Sequence, residues 1–496
     1  MVEKKKRILF RADGNSIAGY GHVIRSLSLA AMLKKKFECI FLIQSPNAFL
    51  KDQIQLICKK TIILPDSENM IKESKMLSKK FIESSDIVVL DGYKFDNVYQ
   101  SRVRKACFKL VCIDDIYSTH FTANAVINHA GGINDKKYSV EKYTQLYLGT
   151  KYAILRKPFL KKYDAEAIIN EQIKSKAYRG FISFGGTDQL NFTEKALKIC
   201  LRRGQVKSLD VVIGDYYPYT ANLEKIQKEN PGTEIKIHSA LSAQAICKVM
   251  MRSSFGICSA STVSYEYSAA GGILFVFRSA SNQKDLYKFL IDSHVAYPAS
   301  KFDDVFVKVK SGKFRKEYFL NRQKYFTAES DINLVNIFEK FDLERELSFI
   351  KAKKPDMMTY FKWVNDSEVR KNAINTDPIL LEQHKKWFTN SVHDPEKLML
   401  IFSKKEVPVG QVRVEKKEQE NVIDVSIDKK FRNKGYAKIL IELSCLEFSK
   451  TKKEPVYAYV NELNIGSSKS FLKANFEFVH REKINGKVFH KYVYRP

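Results

Sequence analysis

A chain of 496 residues has room for about three domains at ~100 to 200 residues each, and its formal charge of +28 comes from 84 Lys and Arg against 56 Asp and Glu. The positive residues are scattered in short runs such as Lys4-Lys5-Lys6, Lys34-Lys35-Lys36 and Lys452-Lys453, without a helix that interleaves them with aromatics, so solvated faces explain the charge better than a nucleic-acid role. Eight cysteines form no Cys-x-x-Cys pair that would point to zinc or redox chemistry; no run approaches the ~18 apolar residues of a membrane span, and the start lacks the apolar stretch of a signal peptide, so a cytoplasmic protein without membrane insertion or metal is expected.

From Arg7 to about Leu155 short apolar strands alternate with helical stretches. The first strand, Ile8-Leu9-Phe10, leads through Arg11-Ala12-Asp13-Gly14-Asn15 to Gly19-Tyr20-Gly21-His22. A helix opens there, with Val23, Ile24, Leu27, Leu29, Ala30 and Leu33 at apolar positions. Glycines at such a junction allow a tight turn and close ligand approach, and the free helix amides favour an anion. His22 is then either a catalytic group beside that anion or a surface or capping residue. Ile40 to Ile43, Asp86 to Asp91, Leu110 to Asp115 and Ala125 to Asn128 read as buried parallel strands. The charged stretch Lys161 to Lys176 reads as a joint.

A second alternation runs through Gly180 to Phe184, Leu209 to Ile213, Phe255 to Ile257 and Ile273 to Val276, with helices to about Phe341. Its first strand ends in Gly185-Gly186-Thr187-Asp188, another glycine turn before a helix. Two doubly wound halves facing a common cleft are the expected arrangement.

Beyond about Leu347 the pattern becomes α+β. Trp363 to Phe388 reads as mainly helical, Leu398 to Ser403, Pro408 to Glu415 and Asn421 to Ile427 as consecutive strands, and Tyr436 to about Thr451 as a helix. Between the last strand and that helix, Phe431-Arg432-Asn433-Lys434-Gly435-Tyr436-Ala437 offers successive amides for a pyrophosphate, with Arg432 and Lys434 adding charge. This segment resembles the acetyl-coenzyme A dependent N-acetyltransferases of the GNAT family. The resemblance implies acetyl-CoA as acyl donor, held by Arg432, Asn433, Lys434, Gly435, Tyr436 and Ala437. Asn464 to Phe476 looks like the family's second coenzyme-side helix, with Asn464 and Ser467 on its polar positions. Phe471 stands where the family often has a tyrosine acid. Asp424 is either a proton relay from the acceptor amine or a structural carboxylate. Trp363 to Asn372 and His384 to Phe388 are similar to acetyltransferases acting on the 4-amino group of nucleotide-linked amino sugars. Arg370 falls on the acceptor side, and Trp363 and Trp387 either shape a sugar or base pocket or pack in the core.

The amino-terminal motifs resemble the nucleotide-sugar hydrolases of pseudaminic acid synthesis. The likeness rests on Arg11 to Asn15, Gly19 to Arg25, Asp91-Gly92-Tyr93, Ser183 to Asp188, Ser259 to Glu266 and Asn282-Gln283. It implies two Rossmann-like halves in a GT-B-like arrangement, residues 1–160 and 175–342, followed by an α+β acetyltransferase domain at 348–496. Water would attack the anomeric carbon of a UDP-linked diacetamido trideoxy hexose. His22 would act as base or orienter, with Tyr93 and Asp13 in the catalytic group, and Gly21, Arg25, Asn282 and Gln283 on the substrate. Gly185, Gly186, Thr187, Ser261 and Thr262 would hold the diphosphate, and Glu266 the ribose hydroxyls. The expected enzyme is bifunctional, first acetylating a UDP-linked 4-amino sugar and then releasing UDP. A glycosyltransferase with an appended acetyltransferase and a charged surface-binding protein are the alternatives. Sugar stereochemistry and oligomeric state stay open.

Overall fold

The computed structural model describes residues 5–14, 19–161, 163–164, 170, 178–214 and 216–496. Asn15 and most of the joint expected at 161–176 lie outside the described residues. The chain divides into two compact units, Met1–Asn336 and Ile337–Pro496.

The first unit holds two parallel sheets. One is formed by β1 (Arg7–Ala12), β2 (Glu38–Gln44), β3 (Lys60–Leu64), β4 (Ile87–Asp91), β5 (Lys109–Ile113), β7 (Ala125–Asn128) and β9 (Gln145–Leu148), in the order β3-β2-β1-β4-β5-β7-β9. A two-stranded ribbon of β6 (His120–Phe121) and β8 (Ser139–Val140) accompanies it. The second comprises β10 (Tyr178–Ser183), β11 (Val206–Val212), β12 (Glu234–His238), β13 (Phe255–Ser259), β14 (Ile273–Phe277) and β15 (Tyr297–Pro298), in the order β12-β11-β10-β13-β14-β15. The central strands are buried along most of their length because both faces are covered. Leu9, Ile40, Leu42, Val88 and Leu90 share one buried layer, while Phe10 stacks on Phe41 with centroids 6.3 Å apart. Strands alternate with helices, and both sheets have the strand order of Rossmann-like regions.

The second unit is a mixed sheet. β16 (Leu347–Lys351), β17 (Leu398–Lys404), β18 (Val407–Lys417) and β19 (Glu420–Ile427) form an antiparallel meander; β20 (Val456–Asn461) runs parallel to β19, and β21 (Glu477–Ile484) and β22 (Lys487–Tyr494) close the order β16-β17-β18-β19-β20-β22-β21. The helix Tyr436–Phe448 makes the crossover and buries Tyr436, Leu440, Ile441 and Cys445 against the sheet. A parallel pair needs such a crossover. The final hairpin turns at Asn485-Gly486, both with positive φ (48° and 80°), the backbone that a two-residue hairpin loop requires.

Candidate active sites

Each sheet of the first unit has a switch point, where successive strands depart to opposite sides and a crevice opens at their carboxyl ends. In the first sheet this falls between β1 and β4, which brings the start of the helix Gly21–Leu33 beside Asp91-Gly92-Tyr93. His22 Nδ1 lies 2.7 Å from Asp91 Oδ1, and the Tyr93 ring meets the imidazole edge-on, with centroids 4.7 Å apart.

Asp91 is fully buried at 0% exposure, and a carboxylate has about four acceptor positions to satisfy. Arg25 fills two, through Nη2 at 2.6 Å and Nε at 2.9 Å; Ser26 Oγ at 3.3 Å and His22 take the others. Burial opposes the charged form, but Arg25 and then His22 outweigh it and bring the Asp91 pKa down to about 2. Because a carboxylate only accepts, the 2.7 Å contact places the ring hydrogen on Nδ1, donated to Asp91, and Nε2 is the nitrogen left to accept a proton.

This network revises the role expected for Arg25. It is buried, paired to Asp91 and 3.3 Å from Asp115, so it positions the Asp91–His22 pair and is not a substrate contact. Asp91 itself had no assigned role in the sequence, although its place at the end of an apolar strand beside Tyr93 was the available signal. His129 was likewise missed. It is buried, accepts from the Ile154 amide at 3.2 Å through Nδ1, and burial with the nearby Arg25 charge lowers its pKa to about 4.

Tyr93 accepts a hydrogen bond from Asn282 Nδ2 at 3.0 Å, so the tyrosine expected in the catalytic group touches the amide expected on the substrate. Partial burial and the Asp115 carboxylate raise the phenol pKa, keeping it a proton donor at neutral pH. Gln283 Oε1 instead closes its own loop, accepting from the Ser279 amide at 2.8 Å. Asp13 Oδ1 accepts from the Gln44 amide at 2.9 Å and from Arg11. Arg11 is buried and held by Glu73 at 2.9 and 2.8 Å, which makes Asp13 part of a buried bracing network. Gly21 opens its helix with free space around its Cα.

The second sheet has its switch point between β10 and β13, bordered by Gly185, Gly186 and Thr187 on one side and Ser261 and Thr262 on the other. Gly185 has φ +84°, and no atom lies within 4 Å of a Cβ built on it or on Gly186, so the backbone stands open to a ligand. The helix Thr262–Ala270 has no side-chain cap; the Ser264 amide donates to Ser261 O at 2.9 Å, and the two amides before it suit an anion. Ser261 Oγ lies 2.9 Å from Ser259 Oγ. Glu266 departs from expectation: it is 3% exposed, and its two oxygens accept from Arg156 at 2.7 and 2.6 Å. A carboxylate so deeply buried needs that cation, and Glu266 is a structural partner in place of a free ribose acceptor.

In the second unit, Gly435 has φ +83° and Asn433 φ +60°, and the helix that follows has no side-chain cap. Gly435 is required by this left-handed turn. Tyr436 is buried in the sheet core and Ala437 lies one residue further along the helix. Arg432 braces the loop, donating to Ile427 O at 3.0 Å and Asp366 at 2.7 Å, and Lys434 Nζ donates to Lys430 O at 2.7 Å. Asn464 caps its helix by accepting from the Ser467 amide at 3.0 Å. Phe471 is core, edge-on to Phe476 at 5.0 Å. β19 and β20 pair only at Asn421 with Val456 and Val422 with Tyr457, then diverge.

Asp424 and Arg370 line a cavity of about 670 Å³ together with Arg413, Lys417, Tyr459 and Lys491. Asp424 is bound by Arg413, with Nε at 3.0 Å; burial opposes ionisation, but Arg413, Lys417 and Arg370 prevail and lower its pKa. Arg370 donates to Asn375 O at 3.2 Å and Asp377 O at 3.3 Å. Trp363 is not in this wall. It is 4% exposed, packs with Tyr360, Phe388 and Met399, and donates through Nε1 to Asp428 at 3.0 Å, which is the core-packing outcome. Trp387 lies under the Arg413 guanidinium at 5.0 Å.

Among the described residues no group of three or more His, Cys, Asp or Glu could hold a metal ion, and no helix is long and apolar enough to cross a membrane.

The acetyltransferase (GNAT) domain family matches residues 346–477. An uncharacterized protein of Methanocaldococcus jannaschii is 24% identical over 505 aligned positions, covering 97% of this chain and 98% of its own. The UDP-2,4-diacetamido-2,4,6-trideoxy-beta-L-altropyranose hydrolase of Campylobacter jejuni is 24% identical across 52% of this chain and 86% of its own. Spermidine N-acetyltransferase from Vibrio cholerae, solved with CoA and spermine, is 15% identical and covers 30% of this chain and 95% of its own, with a TM-score of 0.28. The carboxyl-terminal unit therefore carries a GNAT-fold acetyltransferase domain, in a chain with weak, partial homology to a UDP-sugar hydrolase.

Proposed function

We propose that this chain is a bifunctional enzyme acting on one nucleotide-sugar scaffold: its GNAT domain acetylates the 4-amino group of a UDP-linked 4-amino-4,6-dideoxy sugar, and its amino-terminal unit, read as GT-B-like, hydrolyses UDP-2,4-diacetamido-2,4,6-trideoxy-beta-L-altropyranose, the compound in the relative's name. The observation that carries the hydrolytic reading is the Asp91–His22 pair, with its 2.7 Å hydrogen bond.

In this reading His22 Nε2 takes a proton from water as the water oxygen bonds to the anomeric carbon. The bond from that carbon to the diphosphate breaks, and UDP departs with its electron pair. Asp91 fixes the ring and offsets the charge it gains. Amides of Gly185, Gly186 and Thr262 stabilise the leaving diphosphate. Tyr93 and Asn282 orient the sugar.

Acetylation is attack of a neutral amine on the acetyl-CoA thioester carbonyl, with loss of the amine proton and departure of the thiolate, which leaves as the thiol. The uncapped helix after Gly435 suits the pyrophosphate, and the cavity beside Arg370 and Asp424 suits the acceptor. Asp424, already bound by Arg413, supports electrostatics better than proton removal.

Incubation of the purified protein with the acetylated UDP-sugar alone tests the reading. Release of UDP with free sugar, which no added acceptor alcohol accelerates, is expected. Strict dependence on an added acceptor would establish a glycosyltransferase instead.

A further inference from the structure

Away from both switch points, the first unit contains a cavity of about 340 Å³, on the order of ten water volumes at ~30 Å³ each. Its lining comes from the segment Lys157–Leu160 and its flanks, the last turn of the helix Thr262–Ala270, the helix Gly312–Gln323 and residues 326–330. Leu155, Phe159, Phe319 and Phe326 give it an apolar body.

Beside the exposed Lys161 and Glu329, this lining holds a buried cation without a carboxylate partner among the described residues and a buried hydroxyl without a hydrogen bond. Arg322 is 4% exposed. One nitrogen, Nη1, donates to Gly271 O at 3.0 Å and Gly272 O at 3.2 Å, and the guanidinium lies 4.1 Å over the Phe319 ring. No ion pair joins it to a carboxylate among the described residues, and burial lowers its pKa. The second group is Ser268, 1% exposed, whose Oγ has no hydrogen-bond partner among the described residues. A buried cation without a counter-charge and an unsatisfied hydroxyl each cost stability, and both occur in the wall of one cavity.

We propose that this cavity binds a small amphipathic monocarboxylate, its head between Arg322 and Ser268 and its apolar body against the aromatic floor. A guanidinium and a hydroxyl donate to the two oxygens of one carboxylate, and the volume falls within the usual range for small-molecule sites. The site is distinct from the proposed diphosphate position: Ser268 is near the end of the helix whose first residue is Thr262, and Glu266, paired to Arg156, lies between them in sequence on that helix. Occupancy would therefore be felt along the element that carries the diphosphate loop.

Calorimetry on the full chain, with a series of monocarboxylates from butyrate to octanoate and with 3-phenylpropionate, tests the assignment. Saturable one-to-one binding by at least one acid is expected, with its matching alcohol at least tenfold weaker. Ser268→Ala removes a hydroxyl that has no partner among the described residues, so its melting temperature should stay unchanged or rise while acid affinity falls about fivefold, the worth of one hydrogen bond near 1 kcal/mol. Ala269→Leu, which fills the cavity from a partly exposed position, should abolish binding with the fold retained. The assignment is overturned if no acid binds at millimolar concentration, if acid and alcohol bind alike, or if both folded variants bind as the parent does.

Discussion

His22 and Asp91, 69 positions apart in sequence, share a 2.7 Å hydrogen bond at the end of adjacent elements, and Arg25 locks the same carboxylate from the next helical turn. The pair fixes the orientation of a partly exposed imidazole, as the proposed role of His22 as base requires. His22→Ala should lower UDP release at least a hundredfold, the usual contribution of a positioned base, with acetylation by the other unit unchanged. Parallel assays of UDP and free CoA on the same preparation check this; equal loss of both activities would point to a folding defect.

Asp91→Asn keeps the shape but removes the charge that stabilises His22 and neutralises Arg25. Hydrolysis should fall by ten- to a thousandfold, with most of the loss in kcat. The folded Asp91 pKa of about 2 lies below the ordinary ~3.9, so its contribution, on the order of 2 kcal/mol, is complete above pH ~4 and lost as pH falls toward ~2. Acid unfolding of the variant, followed by circular dichroism, should lack that portion of the slope.

His129 acts in a higher window. Its folded pKa of about 4 is depressed from ~6.5, so the unfolded chain binds the extra proton first. The neutral ring's contribution is full above pH ~6.5 and is lost on the way down to ~4, on the order of 3 kcal/mol. His129→Asn, whose side-chain oxygen can replace Nδ1 as acceptor for the Ile154 amide, should flatten the pH dependence of the melting temperature between those limits. An unchanged slope would refute the assignment.

Gly435→Val places a β-branched residue at φ +83°, a backbone region that such side chains avoid. The loop must shift, and CoA affinity by calorimetry should fall at least tenfold. UDP release by the other unit should not change.

For Asp424 the direction of its shift makes a different demand. Held below the ordinary carboxylate range by Arg413, it does not titrate near neutrality. Asp424→Asn should lower the rate of acetylation without moving the inflections of its pH profile. A lost inflection in the variant would restore the proton-relay role.

Most of the fold was legible because buried parallel strands advertise themselves: Ile87–Asp91 and Phe255–Ser259 are buried throughout and apolar up to their polar last residues. Edge strands do not. Lys60–Leu64 and Glu234–His238 are each only partly buried, with two exposed residues apiece, and neither stood out. The hairpin Glu477–Tyr494 was missed although Asn485-Gly486 marks its turn, because β21 carries charged residues along an exposed face. At the sites, glycine turns and the histidine were readable as local motifs. What local sequence could not supply was pairing: that Asp91 would hold His22, that Arg25 would turn inward, and that Arg156, 110 positions from Glu266, would occupy it. Trp363 shows the same limit, since a tryptophan beside a strand reads alike whether it lines a pocket or fills the core.

The divergence of β19 from β20 has a consequence for selectivity. After Val422 and Tyr457 the two strands share no ladder, so carbonyls and amides on their facing edges are offered to whatever threads between them. An unfinished sheet of this kind reads its guest through main-chain groups, which every residue type possesses. A linear ligand bearing amides of its own completes the pattern, whereas a hydrocarbon chain of equal length leaves it unsatisfied. Exchange of side chains such as Val425 or Ile427 would then alter how snugly a donor fits, while the preference for an amide-bearing donor stays written in the backbone.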